Sequence, residues 1–187
     1  RGFMRGSIAI CARDSIWNTP IVSPWPIISY TAGSSAGTLA SVVNMASHDV
    51  PLLNAATRTE IGTVLVGDAP QGVSINPAGT RAYVSNYLSR TVSVLAINPP
   101  AAAAVISTIP VVTADPVPSR ILNGKKQFFT SRGRLSTQNF IACISCHPDA
   151  SHDGRDWLFA NNVDEGRRVT TDIRGIMDSG AVHWTAN

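Results

Sequence analysis

The sequence predicts a mixed fold, with antiparallel β-structure first and a small, mostly α-helical domain after it. Short runs of alternating side chains, separated by Gly, Pro and Asn, fill residues 50–112. The composition shifts at Pro116-Val117-Pro118, and beyond that point apolar residues recur at helical spacing. We therefore expect a boundary between residues 117 and 118.

The composition bounds the class of protein. Of 187 residues, 44% are hydrophobic and 14% are charged, which favours a folded domain over a disordered chain. The net charge of +3 is spread thinly, so we expect no nucleic-acid partner. The longest apolar run, residues 101–112, is interrupted by Ser107, Thr108 and Pro110, so we expect no transmembrane segment in this chain.

The two ends and the cysteine count add context. Because the chain begins at Arg1 and stops at Asn187, we expect an internal piece of a longer protein, and a missing signal peptide carries no meaning. Three cysteines do not form a disulfide framework. Cys11 lies in an apolar run and is expected to be a small buried side chain.

The β-rich part is predicted to contain short strands joined by tight turns. The turn of residues 76–79 (Asn-Pro-Ala-Gly) separates two of them. One four-stranded meander cannot bury both faces, and β-propeller blades solve this by packing against each other, although a generic β-sandwich fragment is an alternative. We expect residues 1–117 to form a partial propeller with a poorly defined N-terminal part, whose open sheet edge would permit assembly with other chains. The predicted strands are residues 60–66, 72–75, 81–86, 91–97 and 104–110.

Two helices are predicted after the Pro-rich boundary. Residues 119–129 place Ile121, Leu122 and Phe128 on one side, although Gly124 weakens the helix. Residues 138–146 form the second candidate, which Pro148 ends. Residues 118–187 are therefore predicted to be a small, mostly helical domain with long loops.

The motif that carries chemistry is Cys143-Ile144-Ser145-Cys146-His147, which has the C-x-x-C-H spacing of c-type haem attachment. On a helix, positions i, i+3 and i+4 lie on one face, so both thiols and the imidazole reach the same object. The two sulfurs can form thioether bonds to the haem vinyl groups, and the imidazole is left as the proximal iron ligand. Haem c is therefore the expected cofactor.

Two other interpretations use the same residues. A zinc site would need a fourth ligand, which only His152 or His183 offers. A thioredoxin-like thiol pair would need a βαβ context that this sequence lacks. The histidine directly after Cys146 favours haem over both.

The sequence does not identify the sixth iron ligand. His183 as ligand would give a low-spin, electron-transferring haem, with a structural histidine as the alternative; Met177 would raise the reduction potential. An empty position would suit a peroxidase. His152 is expected to face a haem propionate or solvent, and Trp157 and Trp184 to pack near the haem. Four arginines could pair with propionates, at least two of them being expected to be solvated: Arg155, Arg167, Arg168 and Arg174.

Two stretches resemble known families. Residues 70–97 resemble a YVTN-type β-propeller repeat. Residues 119–187 resemble the haem-bearing domain of the bacterial di-haem cytochrome c peroxidase and methylamine-utilisation family, in versions fused behind such a propeller. The sequence departs from the family at Arg168-Val169-Thr170, where members often have Arg-Asn-Thr, and in the loop containing Met177 and Asp178. The matching stretches are residues 124–129, 144–149, 151–157, 165–175 and 182–187.

The resemblance implies a cytochrome c-like domain that is truncated here, with a second haem domain after Asn187. We expect electron transfer in the periplasm or on the cell surface of a bacterium, to a redox partner protein or to that second haem domain. One alternative is a di-haem peroxidase-like oxidoreductase, with Glu165 or Asp178 as the nearest distal acid or base. The other is a propeller that binds a partner, with the haem as a relay. The sequence assigns no catalytic residue.

Overall fold

The computed structural model describes residues 27–34, 37–133, 136, 139, 141–158 and 167–176. The chain divides into two compact units, Arg1–Ala142 and Cys143–Asn187. The first unit thus contains the Pro-rich segment at which the sequence places a boundary, and the second begins at the first cysteine of the C-x-x-C-H motif.

The first unit contains two four-stranded antiparallel sheets in which strands adjacent in sequence are also adjacent in space. The turns are short, so each sheet is a meander. The first sheet comprises β1 (Ile27–Ser34), β2 (Gly37–Val43), β3 (Asp49–Asn54) and β4 (Thr59–Leu65). The second sheet comprises β5 (Pro70–Ile75), β6 (Arg81–Asn86), β7 (Thr91–Ala96) and β8 (Ala104–Pro110).

The second sheet follows directly from local sequence. In β6 the side chains alternate, with Ala82 and Val84 buried and Tyr83 exposed between them. The Asn76 side-chain Oδ1 accepts hydrogen bonds from the backbone N–H groups of Thr80 and Arg81, both at 2.9 Å, and closes the β5–β6 turn. The predicted strands and this turn are confirmed, with ends that differ by at most two residues.

One hydrophobic core joins the two sheets. Leu52 of β3 and Leu95 of β7 are both fully buried in it. Burial of such a side chain stabilises the fold by about 1.5–3 kcal/mol. The buried members of this core are Leu39, Val50, Leu52, Val64, Ile75, Ala82, Val84, Leu95 and Ile97.

Strand β8 is an edge strand of unusual composition. It pairs with β7 on one side, and its other side has no strand partner among the described residues. All seven of its residues are exposed, including Ile106 and Ile109. Residues 101–114, which include β8, carry no charged side chain.

Helix α1 (Ser119–Phe129) follows Pro118 and belongs to the first unit. The Phe129 ring lies against that of Tyr87, with 6.2 Å between centroids. Lys126 Nζ lies 2.8 Å from Asp68 Oδ2, in the loop between the two sheets. The prediction of this helix is confirmed.

The described part of the second unit has little regular structure. It contains the single-turn helix α2 (Cys143–Cys146), a 3₁₀ turn (Pro148–Ala150) and a two-stranded antiparallel sheet of β9 (Asp156–Leu158) and β10 (Arg167–Val169). The helix predicted from residue 138 begins only at Cys143. Asn139 has a left-handed φ of 56°, and the Ile141 N–H donates to Ser136 Oγ at 3.1 Å, so the chain turns here before the helix.

The predicted fold class is therefore wrong. Antiparallel sheets predominate, and in the described part of residues 118–187 only α1 and α2 are α-helical. Pro148 limits α2 to one turn, and the described residues after it form turns and a two-stranded antiparallel sheet. Nor is there a closed propeller, because a ring needs about four or more blades and the described strands build two such sheets.

The described chain has no helix with the length and apolar character that a bilayer crossing requires.

Candidate functional site

The site is built on one helical turn. Cys143 and Cys146 begin and end α2, and the His147 N–H donates to the Cys143 carbonyl at 3.0 Å, so His147 continues the turn. Cys143 is exposed, Cys146 is half-buried, and both thiols are free. Both cysteines thus lie on one helical turn, and His147 follows at its end, with a backbone of φ −117° and ψ 61° that leaves the helix.

The His147 ring has a defined hydrogen-bond partner. Its Nδ1 lies 3.0 Å from the backbone carbonyl oxygen of Ser151. Because a carbonyl oxygen only accepts, Nδ1 carries the proton and donates it. In the neutral imidazole, Nε2 is then the nitrogen without a proton, as a metal ion requires, and the Nδ1 bond increases its basicity.

The loop after His147 is held by a later segment of the same unit. Ser151 Oγ donates to Asp172 Oδ2 at 3.1 Å, and the Ile173 N–H donates to the Ala150 carbonyl at 3.1 Å. Arg174 Nε donates to the Asp149 carbonyl at 3.2 Å. No sequence motif predicts these contacts, since Ser151 and Asp172 are 21 positions apart.

Asp153 accepts a hydrogen bond from Trp157 and interacts electrostatically with Cys146. The Trp157 indole N–H lies 3.1 Å from both Asp153 Oδ2 and Thr170 Oγ1. Burial acts to raise the pKa of Asp153, but hydrogen bonds from the Arg155 backbone and from Thr170 and Trp157 hold it below its usual value. Asp153 is therefore a carboxylate at neutral pH, and the polar edge of Trp157 is satisfied within the protein.

The environment of Cys146 disfavours its thiolate form. Burial raises the pKa of the Cys146 thiol, and the Asp153 carboxylate and Cys143 raise it further, against a smaller opposite effect of Arg155. Because the attacking cysteine of a redox pair has a lowered pKa, Cys146 is not suited to be the nucleophile.

The zinc interpretation needs a fourth ligand, and of its two candidates only His152 lies within the described residues. There, no three side chains of His, Cys, Asp or Glu are grouped so that they could hold a metal ion. His152 is exposed to solvent, and its Nδ1 accepts a hydrogen bond from the Gly154 N–H at 3.1 Å. Haem attachment requires fewer metal ligands from the motif, because only its imidazole ligates the iron.

Several sequence predictions fall outside the described residues. These are the sixth-ligand candidates Met177 and His183, together with Glu165, Asp178 and Trp184. The four arginines are described, and all are exposed. Arg167 forms an ion pair with Asp156, and Arg174 binds the loop after His147.

A second polar cluster, in the first unit, was not predicted. His48 is buried, with Nδ1 3.1 Å from Asp68 Oδ1, and the other oxygen of Asp68 binds Lys126. His48 Nε2 is buried and has no hydrogen-bond partner among the described residues. Burial lowers the pKa of His48 despite the opposing effect of Asp68, so the ring is neutral at neutral pH.

Comparisons with known proteins add little to this geometry. No family model and no curated protein matches the chain. Among solved structures, the chain is similar to Kuenenia stuttgartiensis hydrazine synthase, with a TM-score of 0.39 and 25% sequence identity. The match covers 59% of this chain and 27% of that one, and a similarity at this level supports no statement about fold or function.

Proposed function

We propose that this chain is a c-type haem protein that transfers electrons outside the cytoplasm. One observation carries the proposal: Cys143 and Cys146 lie on a single helical turn that His147 follows, and the His147 Nδ1 bond to Ser151 leaves Nε2 available for iron. The two thiols would anchor the haem covalently, and His147 would ligate the iron from one side.

Each residue of the motif has a distinct task. The exposed Cys143 and the half-buried Cys146 are free, as thioether formation requires. The Ser151 carbonyl fixes the tautomer of His147 and the plane of its ring. Haem c bound here would supply reversible one-electron transfer at its iron.

The packing of the second unit supports a bound apolar group. Among its described residues, Ile144 alone is buried. A small unit whose described part buries one side chain would be stabilised by a disulfide, metal or cofactor, and both cysteines of this unit are free thiols. Covalent attachment to a large apolar ring would supply the missing contacts.

The resemblance of residues 119–187 to the di-haem cytochrome c peroxidase and methylamine-utilisation family belongs to the same proposal. The resemblance implies a location in the periplasm or on the surface of a bacterium, with a redox partner or a second haem domain as the electron acceptor or donor. No described residue favours a peroxidase-type reaction over electron transfer.

The test is expression of the full 187-residue chain in a bacterium that carries cytochrome c maturation machinery. Denaturing electrophoresis with haem staining reports covalent attachment. Optical spectra of the oxidised and reduced protein report the iron. We expect stained haem on the denatured chain and sharp low-spin bands on reduction.

Two variants make the test specific. The change Cys143→Ala together with Cys146→Ala should abolish the haem stain. Cys11→Ser removes the one cysteine outside the motif and should leave the stain unchanged. A wild-type chain with no covalent haem would contradict the proposal. Stoichiometric zinc in that chain would instead support a zinc site. Covalent haem with a high-spin spectrum would favour the peroxidase alternative.

A further inference from the structure

The loop that positions His147 has a backbone that its own sequence does not favour. Asp149 and Ala150 are consecutive and have φ values of 53° and 59°, in the left-handed region. Residues with a Cβ atom avoid this region because the side chain approaches the following carbonyl. Such a loop persists only when contacts from elsewhere stabilise it.

Those contacts come from three consecutive residues. Asp172 Oδ2 accepts from Ser151 Oγ at 3.1 Å, the Ile173 N–H donates to Ala150 at 3.1 Å, and Arg174 Nε donates to Asp149 at 3.2 Å. The Asp172 carboxylate is itself oriented, because its Oδ1 accepts from the Arg174 backbone N–H at 2.8 Å. Asp149 and Ala150 thus each accept one hydrogen bond from this segment, and Ser151 donates one to it.

We propose that Asp172, Ile173 and Arg174 form a clamp that fixes residues 149–151 and so sets the orientation and basicity of His147 as an iron ligand. This inference rests on the proposed haem function. The last residue of the clamped loop, Ser151, provides the carbonyl that accepts the His147 Nδ1 proton at 3.0 Å. The three residues are positioning residues, since they act through Ser151 and not on the iron.

The clamp has a consequence for the reduction potential. A hydrogen bond donated by Nδ1 makes the imidazole a stronger electron donor, which favours the ferric state. If the clamp is released, the Ser151 carbonyl is free to move and that hydrogen bond weakens. The reduction potential should then rise.

The decisive experiment compares Arg174→Gln with Arg174→Met in the haem-loaded full chain. Both changes remove the guanidinium charge and give side chains of similar length. The Gln amide nitrogen is separated from Cα by the same number of bonds as Arg174 Nε and keeps the donor for the Asp149 carbonyl, whereas Met has no donor.

The reduction potential is measured by spectroelectrochemical titration. Hydrogen exchange is measured at the amides of Ala150 and Ser151, which donate within the loop at 3.2 and 2.9 Å.

We expect the Gln variant to behave like wild type. The Met variant should have a higher potential, and the two loop amides should exchange about fivefold faster, the effect of losing one hydrogen bond. Ser151→Ala gives an independent check, because it removes the bond to Asp172 and keeps the carbonyl. It should shift both quantities in the same direction as Met.

The outcomes separate the two proposals. Covalent haem in wild type with equal potentials and exchange rates in all three variants would overturn the clamp and leave the proposed function intact. If Arg174→Met does not fold, Ser151→Ala decides: a raised potential supports the clamp and an unchanged one overturns it. A wild-type chain without covalent haem overturns the proposed function, and the clamp with it.

Discussion

The two units of this chain are stabilised in different ways. In the first unit, two four-stranded sheets bury nine apolar side chains in one core that both sheets share. In the second, the described residues bury only Ile144, and the segment around His147 is held by hydrogen bonds from residues 172–174. Apolar burial supplies most of the stability of a folded domain, whereas a single hydrogen bond contributes about 1 kcal/mol.

This difference shows what each unit is suited to do. A unit with a large apolar core keeps its shape without a ligand, whereas one with few buried side chains depends on what binds to it. The C-x-x-C-H motif lies in the second kind of unit. The comparison therefore predicts that core substitutions destabilise the first unit and that loss of haem destabilises the second.

The largest effect is expected from the core of the first unit. Leu52→Ala removes a fully buried side chain of β3 and should lower the free energy of unfolding by about 2–5 kcal/mol. Leu65→Ala, in the same sheet but 53% exposed, should change it by about 0.5 kcal/mol or less. Denaturant unfolding followed by circular dichroism measures both. Equal effects of the two substitutions would show that the shared core does not dominate stability.

The next effect concerns the second unit. Without haem, in the chain carrying both Cys143→Ala and Cys146→Ala, amide exchange in β9 and β10 should accelerate by about ten- to hundredfold. Exchange in β3 and β6 should stay unchanged, because those strands are held by the core of the first unit. Hydrogen-exchange mass spectrometry resolves the two regions, with Cys11→Ser as the haem-loaded control. Unaltered protection of β9 and β10 would show that the second unit is equally stable without haem.

The smallest effect is the pH dependence of the first unit. Because burial lowers the pKa of His48, the unfolded chain binds this proton more readily than the folded chain. Stability should therefore be full above the unfolded pKa of about 6.5 and fall below it, by at most about 1.4 kcal/mol per pH unit.

His48→Asn isolates this contribution. Asn tolerates the left-handed φ of 60° at this position and does not titrate. The free energy of unfolding, measured between pH 8 and pH 5, should fall less steeply for the variant than for wild type. Identical slopes would assign the acid sensitivity to other groups.

The sequence predicted those structural features that are specified by residues close together in the chain. The turn between β5 and β6 is specified within a few residues, because Asn76 caps it and Gly79 adopts a positive φ of 66°. The alternation in β6 and the helix of α1 are equally local. The spacing of Cys143, Cys146 and His147 identified the candidate site for the same reason.

The features that the sequence did not predict depend on contacts between residues far apart in the chain. His48 meets Asp68 across 20 positions, and the Asp149 carbonyl meets Arg174 across 25, so no pattern of residues announces either contact. The mostly helical second domain was wrong because a family resemblance does not report where Asn139 turns the backbone or how short Pro148 makes α2. What holds His147 in place could be found only from the structure.

The open edge at β8 has a practical consequence for work with this protein. A strand with free backbone groups, apolar side chains and no charge is a template for pairing between molecules. A net charge of +3 on 187 residues provides little long-range repulsion to oppose such pairing, especially in salt. We therefore expect this strand to limit solubility at the concentrations used for crystallisation or NMR, and dilute, low-salt handling to reduce such pairing.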